Sequence, residues 1–214
     1  MQLIKFIIRP YKFLRIIYKA FKPLADTPKI KRKDLDKLLV RYFPEICGLK
    51  DTKTLDLGSG PFPKNPFHAH HIYGLDFQAN QDKNIFSADL VVEKIPFDDS
   101  YFDYMTAYDF LEHIPRIVYC PERRFAFVEI MNEIWRTLKV GGLFLSHTPV
   151  YPYSPLFRDP THVNLISSDT FEVYFDNKQR VASMYGFNGA FEIVHQFIRE
   201  PYLISILRKV PISN

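Results

Sequence analysis

The sequence predicts an α/β fold, with a doubly wound, mostly parallel sheet of seven strands that is closed by an antiparallel pair. Along residues 53–147, short apolar runs alternate with segments whose apolar residues recur at helical spacing, which is typical of strand–helix–strand units. Two longer apolar runs then lie close together near the end of the sequence, as the strands of an antiparallel pair do. The predicted strands are residues 54–57, 72–75, 84–87, 102–107, 142–147, 191–199 and 203–207.

The first two strands bracket a glycine-bearing turn and end on acids. Asp56 lies near the end of the first strand, Gly58 and Gly60 follow it, and Asp76 ends the second strand twenty positions later. Glycines let backbone N–H groups approach a ligand where a Cβ would clash, and a carboxylate can accept both hydrogen bonds of a ribose diol. These features predict a pocket for a nucleoside-bearing cofactor.

The residues after the glycines argue against a dinucleotide. A pyrophosphate needs the positive end of a helix directly after the turn, normally with a third glycine for close packing. Pro61, Pro63 and Pro66 crowd this position, and only the last half of the segment could hold a helical turn. The pattern therefore favours a cofactor without a phosphate.

The later elements follow from spacing and composition. Residues 123–138 have apolar side chains at helical intervals, and the glycines at 141 and 142 predict a stop before the fifth strand. Residues 148–185 form a long connection without periodicity, rich in proline and tyrosine, which we expect to fold over the cofactor as a lid and substrate wall. Within it, residues 168–175 predict a short helix capped by Ser168.

Five motifs in this order resemble those of class I S-adenosylmethionine-dependent methyltransferases, in particular the type 11-like group. The resemblance implies a Rossmann-like fold and S-adenosyl-L-methionine as the cofactor. The family has a full helix after the first motif, where this sequence has prolines. The matching stretches are Asp56-Leu-Gly-Ser-Gly60, Gly74-Leu-Asp76, Ala88-Asp89-Leu90, residues 95–103 with Phe110-Leu-Glu-His-Ile114, and residues 133–142.

The resemblance also implies the cofactor-binding residues. The family positions that match Asp56, Asp76 and Asp89 hold the methionine end, the ribose diol and the adenine amino group respectively. Two alternatives stay open, since Asp56 could cap a turn and Asp89 could cap a helix. The full set of predicted cofactor residues is Asp56, Gly58, Ser59, Gly60, Asp76, Phe77, Asp89 and Leu90.

A hydroxyl acceptor would require a base, and two histidines are candidates because imidazole titrates near neutral pH. His113 follows the fourth strand, where the family's substrate cleft opens. His162 lies in the predicted lid, with Asp159 placed to orient its ring and favour its protonated form. Alternatively, Asp159 only satisfies backbone groups of a turn, and His162 is a packed loop residue.

The N-terminal residues 1–30 form a separate basic extension before the catalytic domain at 31–214. The first fifty residues carry thirteen Lys and Arg against four Asp and Glu. Six cations of residues 1–24 share one arc of a predicted amphipathic helix. This helix either lies on an anionic membrane surface or packs on the domain with its basic face in solvent. Nucleic acid is not an expected partner, because the basic residues lie away from the motifs and lack an interleaved aromatic stripe.

The sequence predicts no metal and a reducing compartment. His68, His70 and His71 form the densest histidine cluster, but adjacent residues of a strand point to opposite faces and no acid stands at ligand spacing nearby. The two cysteines, Cys47 and Cys120, do not form a disulfide framework. We therefore expect a cytoplasmic protein, peripheral to the membrane if residues 1–24 bind lipid.

The resemblance also suggests the acceptor. Through the Asp-Pro-Thr-His-Val-Asn stretch at 159–164, the sequence resembles methyltransferases of glycans or cell-surface polysaccharides, which implies O-methylation of a sugar hydroxyl. One alternative is N- or C-methylation of a small metabolite or a quinone-like lipid. Another is a non-catalytic scaffold that uses the cofactor fold and binds a partner through its N-terminal helix.

Overall fold

The computed structural model describes residues 26–29, 39, 43 and 49–212. Within residues 49–212, seven strands form one sheet in the order β3-β2-β1-β4-β7-β9-β8, and two short strands, β5 and β6, form a separate hairpin. The strands are β1 Lys53–Leu57, β2 His71–Asp76, β3 Ile85–Ser87, β4 Phe102–Tyr108, β5 Val118–Tyr119, β6 Arg123–Arg124, β7 Leu138–Pro149, β8 Phe191–Arg199 and β9 Tyr202–Lys209.

The strand pairing confirms the predicted fold class. β1 pairs in parallel with both β2 and β4, β2 with β3, and β4 with β7. β9 is antiparallel to β7 and to β8, and so forms the closing pair. Asp56 lies opposite Gly74 on one side and Thr106 on the other. The carboxyl ends of β1, β2 and β4 therefore meet at one edge of the sheet, where ligands of such folds bind.

The connections hold fewer helices than the sequence suggested. The α-helices of the described region are α1 Ala126–Thr137, α2 Pro155–Arg158 and α3 Thr170–Tyr174. The expected helix after β4 is a single 3₁₀ turn, Leu111–His113, and residues 61–70 hold no helix, in agreement with their prolines. Two further 3₁₀ turns occur, Gln81–Lys83 and Val181–Tyr185.

Two predicted boundaries are wrong for local reasons. β7 begins directly after α1 at Leu138, because Leu138 pairs with Phe102 and the pairing resumes only at Leu143 with Tyr104. The glycines at 141 and 142 thus lie in an irregular section of the strand rather than ahead of it. Ser168 does not cap α3, since Asp169 occupies the cap position.

The core lies on both faces of the sheet. On one face, α1 buries Ile130, Met131 and Ile134, and the Trp135 Nε1–H donates a hydrogen bond to the Ala190 carbonyl at 2.9 Å. On the other face, Leu39 and Phe43 are buried with side chains of β4 and β7. Apart from these two residues, the predicted helix at 33–43 lies outside the described residues, as does the amphipathic segment 1–24.

The described part of the N-terminal extension joins the open edge of the sheet. The Ile198 N–H donates to the Pro28 carbonyl at 2.6 Å, and Lys29 pairs with Glu200 at 2.7 Å. Glu200 also accepts a hydrogen bond from the Tyr153 hydroxyl at 2.9 Å. In the described part of the chain, no helix combines the length and the apolar character that crossing a bilayer requires.

Candidate active site

The glycine turn after β1 is bound to β2 on one side and open on the other. The N–H groups of Gly58 and Ser59 donate to the Leu75 carbonyl at 2.9 and 3.2 Å. Gly58 and Gly60 have φ angles of +63° and +56°, which favour glycine. A Cβ on Gly58 would lie 2.5 Å from Phe110 Cδ2, whereas one on Gly60 would meet no atom within 4 Å. The turn therefore presents a bare backbone towards open space.

Asp56 is buried below this turn. Its Oδ1 accepts a hydrogen bond from the Thr106 hydroxyl at 2.6 Å, and its Oδ2 accepts one from the Lys64 N–H at 2.8 Å. Burial raises the pKa of Asp56 from 3.8 to about 6, although both hydrogen bonds oppose this shift. A cationic group of a ligand would offset the cost of the buried charge. The position thus suits the ammonium of a methionine moiety.

Asp76 connects the turn to the end of β2. Its Oδ2 accepts the Gly60 N–H at 2.8 Å and its Oδ1 accepts the Phe77 N–H at 2.7 Å. Each carboxylate oxygen can accept a further hydrogen bond, as binding of a diol would require. Phe77 follows with 73% of its surface exposed, so its ring offers a flat apolar face beside the acid.

Asp89 caps a turn, and not a helix as in the alternative that the sequence left open. Its Oδ1 accepts the Val91 N–H at 3.0 Å, and its own N–H donates to Glu93 Oε2 at 2.6 Å. Leu90 is buried in the core. Both residues follow β3 at the cofactor edge of the sheet, and their contact with an adenine stays a prediction.

The predicted lid packs on the 3₁₀ turn that follows β4. The N–H groups of Val163 and Asn164 both donate to the Glu112 carbonyl at 2.9 Å. This contact brings the rings of His113 and His162 together edge to face, with 4.8 Å between their centroids. The two histidines that the sequence proposed separately, 49 positions apart, thus occupy one site.

Hydrogen bonds favour the same neutral tautomer in both rings. The Thr161 hydroxyl donates its proton to Asp159 Oδ1 at 2.7 Å, so it can only accept at its 3.0 Å contact with His113 Nδ1. His162 Nδ1 lies 3.3 Å from the Leu156 carbonyl, which is also an acceptor. A neutral imidazole at either position would therefore carry its proton on Nδ1 and its lone pair on Nε2.

Asp159 would stabilise a positive charge on His162. Hydrogen bonds from Thr161 hold the pKa of Asp159 below its usual value, so the carboxylate stays ionised. Its Oδ2 lies 3.9 Å from His162 Nε2. A proton taken up by His162 would therefore face a negative charge, as the sequence predicts.

Sequence reasoning missed Glu112. This carboxyl is fully buried, accepts a hydrogen bond from the Thr148 hydroxyl at 3.0 Å, and has a pKa that burial raises to about 7. Among the described residues, its Oε1 has no hydrogen-bond partner. The available signal for a role of Glu112 was its position next to His113. A glutamate next to a histidine is ordinarily exposed to solvent, so this signal did not indicate a site residue.

A second polar group that the sequence did not identify lies at the ends of β4 and β7. His147 stacks between the rings of Tyr108 and Tyr202, with centroid distances of 5.2 and 4.3 Å. Arg199 donates to His147 Nε2 at 2.6 Å, and Asp109 Oδ1 lies 3.3 Å from Nδ1. Asp109 adopts a φ of +51°, and it directly precedes the Phe110 ring beside the glycine turn.

The residues present fit S-adenosyl-L-methionine. The open glycine turn would admit the cofactor, Asp56 would hold its ammonium, and Asp76 with Phe77 would hold its ribose and adenine. In addition, residues 61–70 offer no helix N-terminus on which a pyrophosphate could bind. When bound, this cofactor supplies an electrophilic methyl group on a sulfonium.

Part of the chain is similar to a known protein family. Residues 55–146 match the family model described as "Methyltransferase domain". No curated protein matches the chain.

Three solved structures share the fold at low sequence identity. A SAM-dependent methyltransferase from Archaeoglobus fulgidus is 16% identical, with 93% of this chain and 100% of that chain covered and a TM-score of 0.50. The PH0226 protein from Pyrococcus horikoshii OT3 is 17% identical, with 83% and 88% covered and a TM-score of 0.51. The [4+2]-cyclase SpnF is 15% identical, with 91% and 94% covered and a TM-score of 0.53.

Such identities show the fold alone, and the cyclase shows that this fold is not confined to one reaction. The assignment therefore depends on the family match, on the order of the five motifs and on the fit of the cofactor site. On these grounds, residues 55–146 are similar to a known methyltransferase domain, and the fold and the site of the chain are consistent with a class I, S-adenosylmethionine-dependent methyltransferase.

Proposed function

We propose that this methyltransferase methylates a sugar hydroxyl of a glycan or of a cell-surface polysaccharide precursor. The pair formed by His113 and His162 is the observation that carries the proposal. A neutral hydroxyl must lose its proton as it is methylated, so it needs a base at the acceptor side of the cofactor. Two imidazoles with available Nε2 atoms, one on the 3₁₀ turn after β4 and one on the lid, would meet this need.

In this proposal, His162 is the base. Its Nε2 would accept the proton of the acceptor hydroxyl, whose oxygen would receive the methyl group that the bound cofactor supplies. Asp159 stabilises the imidazolium that forms. Thr161 holds His113 in place beside it. Segment 148–185 acts as the lid that excludes water and forms the acceptor wall.

The acceptor class is tested by product analysis. We expect incubation with methyl-labelled cofactor and cell-envelope extract to place the label in a carbohydrate fraction, as an ether that resists alkali. Label in an amine or in a quinone-like lipid would support the alternative enzyme. Absence of S-adenosylmethionine binding in calorimetry would support the non-catalytic scaffold.

The base assignment predicts a split between turnover and binding. We expect His162→Ala to lower turnover by roughly a hundredfold or more, because general-base catalysis contributes about 10²–10⁴-fold. Its affinity for S-adenosylmethionine should remain close to that of the parent chain, as measured by calorimetry. Added imidazole should restore part of the turnover.

His70→Ala is the matched control, because His70 is exposed and lies away from the pair. It should retain full turnover. Equal losses of turnover and cofactor affinity in His162→Ala, without rescue by imidazole, would indicate a structural role for His162.

We further propose that residues 1–24 lie on an anionic membrane surface and bring the domain to a lipid-linked acceptor. The pairing of Pro28 and Lys29 with the β8 edge supports this, since it would hold the basic extension beside the lid. Vesicles containing anionic lipid should sediment the full chain at low salt and release it at high salt. Deletion of residues 1–24 should abolish sedimentation, and unchanged sedimentation would refute the proposal.

A further inference from the structure

We propose that Glu112, His113 and His162 form a binding site for a divalent transition-metal cation such as Zn²⁺. One ligating atom of each side chain lies within 4.8 Å of those of the other two. Ligands of a bound zinc ion lie about 2.0–2.2 Å from the metal, and hence closer together than this. The cation would therefore draw the lid towards the 3₁₀ turn by about an ångström.

A cation could bind the Oε1 atom of Glu112, which has no hydrogen-bond partner among the described residues. Glu112 is fully buried, and in the part of the chain that the structure describes its Oε1 receives no hydrogen bond. An unpaired buried carboxylate oxygen is costly, and a coordinated cation removes that cost. Asp159 adds negative charge beside the site, since its Oδ2 lies 3.9 Å from His162 Nε2.

Both histidines are arranged as metal ligands usually are. A ligating imidazole commonly donates its second ring N–H to an oxygen acceptor, which fixes its tautomer and its orientation. The Nδ1 of His113 contacts the Thr161 hydroxyl, and the Nδ1 of His162 contacts the Leu156 carbonyl. Each ring therefore directs its remaining lone pair, on Nε2, away from these contacts.

The ligand set selects the class of cation. Two imidazoles and one carboxylate suit Zn²⁺ and neighbouring transition ions, whereas Mg²⁺ and Ca²⁺ prefer all-oxygen sites. The histidines at 68, 70 and 71 do not compete as a site. Among the described residues, the group whose ligating atoms converge is the one at 112, 113 and 162.

The cation site is additional to the proposed function, and it affects that function because it uses the proposed base, His162. A lone pair that binds the cation cannot accept a proton, so the cation and the acceptor's proton compete for His162 Nε2. The cation-loaded chain is therefore the inactive form, in which the lid is held against the 3₁₀ turn. Zinc should lower turnover, and a chelator should restore it.

Binding is tested on the full, untagged chain without cofactor or acceptor, so the result does not depend on methyl transfer. After treatment with a chelator, calorimetry with Zn²⁺ should give one cation per chain. Co²⁺ should give the visible absorption of a site with nitrogen and oxygen ligands. His162→Gln and Glu112→Gln should each weaken binding by about tenfold or more, since even outer-shell changes cost metal sites 10–100-fold.

His70→Gln is the control, and it should bind as the parent chain does. Glu112→Gln changes charge but hardly size, so it keeps the test valid if His162→Gln fails to fold. Absence of saturable binding would overturn the proposal. So would a loss in His70→Gln as large as that in the two site variants, because it would show adventitious binding to surface histidines.

Discussion

Asp56→Asn is expected to weaken S-adenosylmethionine binding by roughly ten- to a hundredfold, because hydrogen bonds to charged groups contribute about 1.5–3 kcal/mol. The fold should be retained. An asparagine can accept the Lys64 N–H through Oδ1 and donate to the Thr106 hydroxyl through Nδ2, so both observed contacts keep a partner. Only the negative charge that would meet the ammonium is lost.

The raised pKa of Asp56 makes this effect depend on pH. With a pKa of about 6, the carboxyl of the ligand-free protein is ionised above pH 6 and protonated below it. The ammonium of the cofactor would bind the ionised form, so cofactor affinity should fall as the pH is lowered through 6, and binding near pH 6 should release protons. In Asp56→Asn the cofactor affinity should be low both above and below pH 6, and it should not change with pH.

The same shift has a consequence for stability. Between about pH 4 and 6 the folded chain holds a proton on Asp56 that the unfolded chain has lost, so this group lowers the free energy of unfolding as the pH rises through that window. Above pH 6, Asp56→Asn should therefore be more stable than the parent chain, by on the order of 1–2 kcal/mol.

Calorimetry at pH 5.5, 6.5 and 7.5, with urea unfolding at the same values, checks these expectations. Asp82→Asn is the control, because Asp82 is an exposed acid in a 3₁₀ turn. Equal affinity of the parent chain and Asp56→Asn would remove Asp56 from the cofactor site. Unfolding of the variant would show that the charge is needed structurally.

Arg136→Ala is expected to lower the free energy of unfolding by roughly 2–4 kcal/mol, the range for loss of a partly buried, multiply bonded ion pair. Arg136 lies on α1 and binds Glu133 through Nε and Nη2 at 2.9 and 2.7 Å. Its guanidinium also donates to the carbonyls of Ile95 and Phe97 at 2.9 and 2.8 Å. It thereby fastens the loop ahead of β4 to the helix.

Lysine should not replace this arginine. Its single ammonium cannot reproduce the planar fork that serves a carboxylate and two carbonyls at once, so Arg136→Lys should recover less than half of the loss. The additional contact with Asp99 contributes little, because that carboxylate is largely exposed.

Arg208→Ala is the matched control for the urea measurement. Arg208 forms a half-exposed pair with Glu192 at 3.1 Å and has no part in fastening the loop, so its loss should cost at most about 1 kcal/mol. Similar losses at the two positions would show that the loop contacts of Arg136 add no net stability.

The sequence alone determined the seven strands of the main sheet and the glycine turn. Alternating apolar runs, the positive φ that glycine tolerates and the exclusion of a helix by Pro61, Pro63 and Pro66 are consequences of local backbone sterics. The antiparallel closing pair followed from the spacing of two apolar runs. The predicted boundaries failed where a long-range contact decides them, as at Leu138, whose pairing with Phe102 starts β7 early.

Only the tertiary structure decided how the reactive groups come together. His113 and His162 meet because the backbone of Val163 and Asn164 binds the Glu112 carbonyl, a contact between segments far apart in the chain. The burial of Asp56 and Glu112, and hence their raised pKa values, depends on which segments exclude water from them. Desolvation and convergence are properties of the packed chain, so no local pattern of residues encodes them.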